Sequence, residues 1–204
     1  MARIRTSDDL AFRRSRILDE AIGLIGERGY YGFTVNELAK RCGLSNPGLL
    51  HYFPSKPAVL LAVLEELEAR EAEVMLPLVQ MVEHELRGDG AKAGVFAILR
   101  TIVVRGGARP EQIRLLGALQ AESLNPAHPA HDWWANRETV LLGFFARLLG
   151  PHVAEPDRVA RQLLAMLDGL GAQWLRATPP FDMVAEWESA LARLLPELRS
   201  ADLA

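Results

Sequence analysis

The chain has 204 residues, of which 50% are hydrophobic, 7% aromatic and 24% charged, and its formal net charge is −3. Its single cysteine, Cys42, excludes an intramolecular disulfide and favours a reducing compartment. No apolar run reaches the roughly 18 residues that a bilayer span requires, and no signal peptide follows the basic start. We therefore expect a cytoplasmic protein, and the abundance of Ala, Leu, Arg and Glu predicts helices.

The charge is unevenly distributed along the chain. Residues 1–58 contain nine Lys or Arg and six Asp or Glu, a net charge of +3, whereas the remainder contains 14 basic and 20 acidic residues, a net charge of −6. A basic segment joined to an acidic one is typical of a protein that contacts nucleic acid at one end. A charge of +3 is small enough to arise by chance, so this indication needs support from motifs.

The first helix is predicted over 12–28, with Ile17, Leu18, Ala21, Ile22 and Ile25 as its buried stripe, and Gly29 ends it. The next segment, Thr34-Val35-Asn36-Glu37, is a capping box, in which the threonine hydroxyl and the glutamate each bind a backbone amide at the helix start. A second, short helix follows, with Val35, Leu38, Ala39 and Cys42 on its buried side. Gly43 ends this helix.

Ser45 or Asn46 caps a third helix, which ends near Phe53. A long fourth helix starts near Lys56, and Pro77 is expected to bend or end it. Breaks at 88–90, 106–110, 125–129, 150–156 and 178–180 predict further helices over 92–105, 111–123, 130–149, 156–177 and 182–199. The expected fold is all-α, with about nine helices.

Two short helices joined by Gly43-Leu44-Ser45 have the dimensions of a helix-turn-helix. An eight-residue third helix is about 12 Å long and fits a major groove about 12 Å wide. Leu49 and Phe53 are spaced to face the core. Lys56 stands at a helix start, where a cation is unfavourable; a DNA phosphate there would explain it, although simple solvation is an alternative.

At these residues the sequence resembles the DNA-binding region of TetR-type regulators. The resemblance covers about residues 12–60, and the segment 168–174 looks like the family's penultimate helix. It implies a helix-turn-helix domain over 1–58 (core 12–56) and a ligand-binding and dimerisation domain over 59–204. Its motifs are Ile17-Leu18, Ala21, Gly29-Tyr-Tyr-Gly-Phe-Thr34-Val35, Leu38-Ala39, Cys42-Gly43-Leu44-Ser45 and Gly48-Leu49-Leu50-His51-Tyr52-Phe53-Pro54-Ser55-Lys56.

The resemblance also implies roles for single residues in binding double-stranded DNA. Position 50, often tyrosine in the family, is leucine here, so the hydroxyl that would hold the DNA backbone is missing. If Pro47 takes the first helical position, Asn46 is the cap and has less capacity to read bases. The predicted DNA-binding residues are Thr34, Asn36, Ser45, Asn46, Pro47, Gly48, His51, Tyr52 and Lys56.

A homodimer is expected, because one recognition helix reads too few base pairs and a twofold pair reads a palindrome. The last two helices carry apolar stripes that suit the interface, unless both stripes only face their own core. The predicted interface residues are Val159, Leu163, Leu167, Leu170, Trp174, Trp187, Leu191 and Leu194.

By the same resemblance the middle helices enclose a pocket for a small, mainly hydrophobic effector, although ordinary core is the alternative for each residue. Gln120, Glu122 and His131 are candidates for orienting the effector. The predicted lining is Phe96, Leu99, Val103, Leu119, Gln120, Trp133, Trp134, Phe144 and Met166.

Other classes of function are disfavoured by the sequence. His128, His131 and Asp132 resemble part of a metal site, but Pro129 interrupts them and a third strong ligand is missing, so neither a metal nor a cofactor is expected. No phosphate-binding glycine loop or nucleophile elbow is present, and we expect no enzyme. The expected function is a ligand-released transcriptional repressor. The alternative is a helical protein–protein interaction module without specific DNA binding.

Overall fold

The computed structural model describes residues 7–85 and 91–198. Within these ranges it contains nine α-helices, one short 3-10 helix at Pro196–Leu198 and no strand, which confirms the predicted all-α fold. The break predicted at 88–90 lies outside the described residues. The helices are α1 Ser7–Gly32, α2 Val35–Arg41, α3 Asn46–Leu50, α4 Lys56–Glu85, α5 Ala91–Gly107, α6 Pro110–Glu122, α7 His131–Leu149, α8 Pro156–Arg176 and α9 Met183–Leu194.

Two glycines fix the boundaries of the early helices, as predicted. Gly29 has a φ of 70° and interrupts α1, so the last turn of that helix is separated from the rest. Gly43 has a φ of 66° and follows α2. Its amide binds the carbonyl of Lys40, and the amide of Leu44 binds that of Ala39 at 2.8 Å. This pair of bonds is the Schellman arrangement that ends a helix.

The chain divides into two compact units. The first comprises residues 1–71 and 114–132, and the second comprises 72–113 and 133–204. This division differs from the predicted boundary after residue 58, because α4 continues past that position and the end of α6 belongs with the first helices. Pro77 does not end α4, which runs on to Glu85.

The core of the first unit contains the predicted stripe of α1. Ile17, Leu18, Ala21, Ile22 and Ile25 are all at most 4% exposed. Each fully buried aliphatic or aromatic side chain contributes about 1.5–3 kcal/mol by leaving water. Side chains from the short helices, from the segments beside them and from the start of α4 are also buried, namely Phe33, Leu38, Leu49, Phe53, Leu60 and Leu64.

The core of the second unit is formed by α5, α7, α8 and α9. Trp187 of α9 is completely buried, and its indole N–H donates to the carbonyl of Leu99 on α5 at 2.9 Å. Val95, Phe145, Leu163 and other apolar residues surround it. Across the described ranges of both units, no helix combines the length and apolarity needed to cross a membrane.

Candidate DNA-binding site

The N-terminus of α2 is capped by Thr34, as predicted. Its Oγ1 accepts a hydrogen bond from the amide of Glu37 at 3.1 Å. The carboxylate of Glu37 instead lies 3.9 Å from Arg28 and 3.9 Å from Arg41. The predicted return bond of the capping box is therefore replaced by weak contacts with two arginines. Asn36 is exposed on the first turn of this helix.

The structure decides which residue caps α3. Ser45 is the cap, because its Oγ accepts from the amide of Gly48 at 3.2 Å. Asn46 is therefore the first residue of the helix and Pro47 the second. The side chain of Asn46 is exposed and has no capping role. The side-chain amide of Asn46 is therefore available to contact the edge of a base. The sequence alone did not decide between this role and a capping role.

The third helix is shorter than the eight residues predicted. It ends at Leu50, with His51 as its C-terminal cap, and the chain then turns through Tyr52. At 1.5 Å per residue its five residues span roughly 8 Å. Leu49 and Phe53 are buried, as predicted, at 0% and 3% exposure. The exposed face of α3, taken together with its C-terminal cap, consists of Asn46, Pro47, Leu50 and His51.

Tyr52 does not present its hydroxyl to solvent. The oxygen is buried and has no hydrogen-bond partner among the described residues. A buried hydroxyl without a partner costs about 1–3 kcal/mol. The resemblance implies that Tyr52 binds a DNA phosphate, and such a contact would require its side chain to rotate away from its present position.

Lys56 is held by aromatic side chains of the first unit. Its Nζ donates to the carbonyl of Tyr31 at 3.2 Å and lies 4.9 Å and 4.8 Å from the ring centres of Tyr30 and Phe33. Burial lowers the pKa of the Lys56 ammonium, and nearby Glu122 opposes this effect. These contacts stabilise the cation at the helix start. They explain its position without the DNA phosphate that the sequence suggested.

Glu122, at the end of α6, binds the same segment, Tyr30 and Tyr31, that contacts Lys56. Its Oε2 accepts a hydrogen bond from the amide of Tyr30, 92 residues away in sequence, at 2.8 Å. Gly29 leaves room for this carboxylate, because a Cβ there would collide with Glu122 Oε1. The sequence predicts Glu122 only as a candidate for orienting an effector. A contact between residues so far apart leaves no pattern in a single sequence.

His128 completes this cluster. It is 3% exposed, and its ring lies 4.9 Å and 5.4 Å from the rings of Tyr30 and Tyr31. Its Nδ1 accepts from the amide of Ala130 at 3.1 Å, so the neutral ring carries its proton on Nε2, 3.5 Å from Glu122 Oε2. Burial lowers the pKa of this imidazole, and Glu122 acts in the opposite direction.

The neighbouring His131 also bonds locally, since its Nδ1 donates to the carbonyl of Ser123 at 2.7 Å. In the part of the chain that the structure describes, no three His, Cys, Asp or Glu side chains come together as a metal site would require. The local bonds give both histidines a structural role at the start of α7.

The predicted interface residues on α8 and α9 fall into two groups. Leu163, Trp187 and Leu191 are completely buried within a single chain, so they fill its own core and leave no surface for a partner. For these three residues, the structure gives the alternative stated above, in which the stripe faces the chain's own core. The remaining five are half-buried and stay candidates for the interface: Val159, Leu167, Leu170, Trp174 and Leu194.

The predicted effector residues are divided between the two units. Leu119 and Gln120 belong to the first unit, and the other seven belong to the second. Leu99 and Val103 are buried core residues, whereas Phe96, Phe144 and Met166 pack half-exposed against that core. Trp133 and Trp134 are half-buried, with ring centres 5.8 Å apart.

Comparisons with known proteins agree with this architecture. The family model "Bacterial regulatory proteins, tetR family" matches residues 17–63. The HTH-type transcriptional repressor AcnR of Corynebacterium diphtheriae is 32% identical over 160 residues, which cover 70% of this chain and 84% of AcnR. The nucleoid occlusion factor SlmA of Glaesserella parasuis is 30% identical over 105 residues, 51% of this chain and 49% of SlmA.

Two solved structures share the fold. AibR, in complex with isovaleryl coenzyme A and operator DNA, superposes with a TM-score of 0.69 at 18% identity and covers 90% of this chain and 98% of its own. FadR of Bacillus subtilis, in complex with stearoyl-CoA, gives 0.65 at 16% identity and covers 91% and 99%.

A capped helix-turn-helix followed by a larger helical unit defines a DNA-binding regulator. The chain belongs to the TetR family of bacterial regulatory proteins, which confirms the resemblance seen in the sequence. It is a DNA-binding transcriptional regulator.

Proposed function

We propose that this regulator is a repressor, that it binds a palindromic operator as a homodimer, and that a small, mainly apolar effector releases it. The observation that carries the proposal is the exposed face of α3, where Asn46 and His51 present polar groups. Ser45 supplies the cap and so leaves Asn46 available. The AcnR relative is a repressor by name, which supports the same direction of control. Bacterial operator DNA lies in the cytoplasm, and we propose that the protein acts there.

The dimer follows from the size of α3. Five residues contact only a few base pairs, so useful specificity needs two copies on two half-sites about 34–36 Å apart. The half-buried apolar residues of α8 and α9 supply an interface for a second copy. Trp174 is the largest apolar residue of this group on α8.

The effector is proposed to be mainly apolar because apolar side chains dominate the second unit. The Trp133 indole nitrogen is buried with no acceptor among the described residues, which suits a bond to a carbonyl of the effector. Isovaleryl coenzyme A in AibR and stearoyl-CoA in FadR both combine an acyl chain with a thioester carbonyl. The acyl chain is the part of such a thioester that an apolar unit suits, so acyl-CoA thioesters are the first compounds to test, with the free fatty acids beside them.

The test begins with selection of bound duplexes from a random pool by the wild-type protein. We expect a short imperfect palindrome, whose dissociation constant rises steeply with salt because phosphate contacts release counterions. Asn46→Ala and His51→Ala should each weaken binding to this duplex by roughly 5- to 150-fold, the equivalent of about 1–3 kcal/mol. Asn136→Ala, an exposed asparagine on α7, is the matched control and should bind like the wild type.

Three results would contradict the proposal. The first is a pool that yields no common sequence. The second is binding with no dependence on salt, which would indicate the interaction module considered as the alternative. The third is unchanged affinity in both the Asn46 and the His51 variant.

A further inference from the structure

Leu50 is a large apolar residue on the exposed face of α3. Its side chain is 42% exposed, whereas the preceding Leu49 is completely buried. Leu50 is therefore not required to fill the core of the first unit. Single exposed leucines are common on protein surfaces, but this one lies on the helix that the proposed function places in the major groove.

The position of Leu50 relative to Asn46 supports a role in reading bases. The two residues are four apart, so they lie on the same side of the helix with Cβ atoms about 5–6 Å apart. Asn46 is the first residue of α3 and Leu50 the last. Stacked base pairs are about 3.4 Å apart. The two side chains therefore address bases one or two steps apart.

The chemistry of leucine restricts what it can contact in DNA. A leucine side chain has no donor or acceptor, so it gains nothing from a phosphate oxygen or from the polar edge of a base. The one apolar group that the major groove presents is the C5 methyl of thymine. Packing against that methyl removes apolar surface of both partners from water.

We propose that Leu50 contacts a thymine methyl in each half-site and is a specificity-determining residue of this protein. The proposal rests on the operator binding proposed above. The exposed amide of Asn46 then contacts a base one or two pairs away, and adenine is the base that an asparagine amide matches in two hydrogen bonds. Each half-site therefore contains a thymine whose methyl group contributes to affinity.

The experiment uses the duplex selected by the wild-type protein. Each thymine is replaced in turn by deoxyuridine, which lacks only the methyl group. At one position in each half-site we expect the dissociation constant to rise about fourfold, the equivalent of burying one methyl group. Replacing that thymine in both half-sites should raise it about 15-fold. The other positions should show little change.

The protein variants identify the side chain that senses the methyl group. Leu50→Ala and Leu50→Asn should bind the thymine and the deoxyuridine duplex with equal affinity. Leu61→Ala on α4 is the matched control, because Leu61 is also an exposed leucine, 44% accessible, and lies outside α3. It should keep the full difference between the two duplexes. Thermal unfolding of each variant checks that the fold is intact.

The possible failures are distinguishable. If the wild type selects a common sequence but no thymine replacement changes its affinity, the Leu50 proposal is overturned while operator binding stands. The same holds if a methyl effect exists and persists in both Leu50 variants. If the wild type selects no sequence at all, the proposed function fails, and this inference fails with it.

Discussion

In the first unit, the functional positions depend on hydrogen bonds made by a few polar side chains. Ser45 and Thr34 start the two short helices, and Glu122 holds the amide of Tyr30. In the second unit, apolar side chains pack around Trp187, and a single hydrogen bond to the Leu99 carbonyl fixes the indole within that core. The first unit positions a small set of surface residues, and the second is built around a large apolar core.

This difference predicts how substitutions act. In the first unit, loss of one hydrogen bond changes the free energy of unfolding by about 1 kcal/mol but shifts the side chains that we propose contact DNA. In the second unit, loss of one core side chain removes several kcal/mol from the whole protein. The remaining predictions test this contrast, beginning with the largest effect.

Trp187→Ala should have the largest effect on stability. The side chain is completely buried, so truncation leaves a cavity and removes the donor to Leu99. We expect the free energy of unfolding to fall by about 3–5 kcal/mol, measured by urea titration. Val140→Ala on α7, where the residue is 60% exposed, is the control and should change it by less than about 0.5 kcal/mol. Equal effects of the two substitutions would show that Trp187 is not in a packed core.

Gly29→Ala and Gly43→Ala separate backbone strain from contact with Glu122. Both glycines have positive φ, so alanine at either position is strained by about 1–3 kcal/mol, and the ψ of 172° at Gly29 lies in a region that essentially only glycine adopts. At Gly43 the added methyl meets open space, whereas at Gly29 it collides with Glu122 Oε1. We expect Gly29→Ala to be the more destabilising of the two, with about 1 kcal/mol of the difference coming from the disturbed bond between Tyr30 and Glu122.

A double-mutant cycle with Glu122→Ala tests the origin of this extra destabilisation. With the carboxylate removed, the cost of Gly29→Ala in urea titrations should fall by about 1 kcal/mol, because only the backbone strain is left. DNA affinity provides a second readout, because Gly29 directly precedes Tyr30 and Tyr31. The amide of Tyr30 binds Glu122, and the carbonyl of Tyr31 binds Lys56. An additive cycle would argue against a coupling between Gly29 and Glu122.

Much of the first unit is predictable because its signals are local. The Thr34 cap lies three residues from the amide it binds, and Gly43 lies two residues after the last residue of the helix it ends. Such short-range bonds depend on residue type and spacing alone. The choice between Ser45 and Asn46 was harder, because Pro47 can occupy either of the first two helical positions. The hydroxyl of Ser45 decides it through its bond to Gly48.

Long-range contacts were not predictable from the sequence. The bond between Tyr30 and Glu122 joins residues 92 positions apart, and the aromatic surroundings of Lys56 come from residues at least 23 positions earlier. The stripes of α8 and α9 showed which faces are apolar, but not whether a face meets its own chain or a second one. For Trp187, the answer is its own chain.

The smallest predicted effect concerns the pH dependence of stability. Burial lowers the pKa of His128 in the first unit, and burial together with Lys92 lowers the pKa of His152 in the second. In the unfolded chain a histidine titrates near pH 6.5. As the pH falls below that value, the unfolded chain takes up a proton before the folded protein does, so the free energy of unfolding decreases. Above it both forms are neutral and this loss is absent.

The groups that face His128 are Glu122, which favours the charged ring, and the uncharged rings of Tyr30 and Tyr31; the Lys56 ammonium lies against Tyr30. Urea titrations from pH 7.5 to pH 5 should show a shallower loss of stability in His128→Gln than in the wild type. His152→Gln should show the same change of slope in the second unit. The slope is the relevant quantity, because each substitution also changes packing at every pH. A His128 variant that loses stability as steeply as the wild type would mean that Glu122 offsets the burial of the ring, and that the cluster in the first unit tolerates a charged histidine.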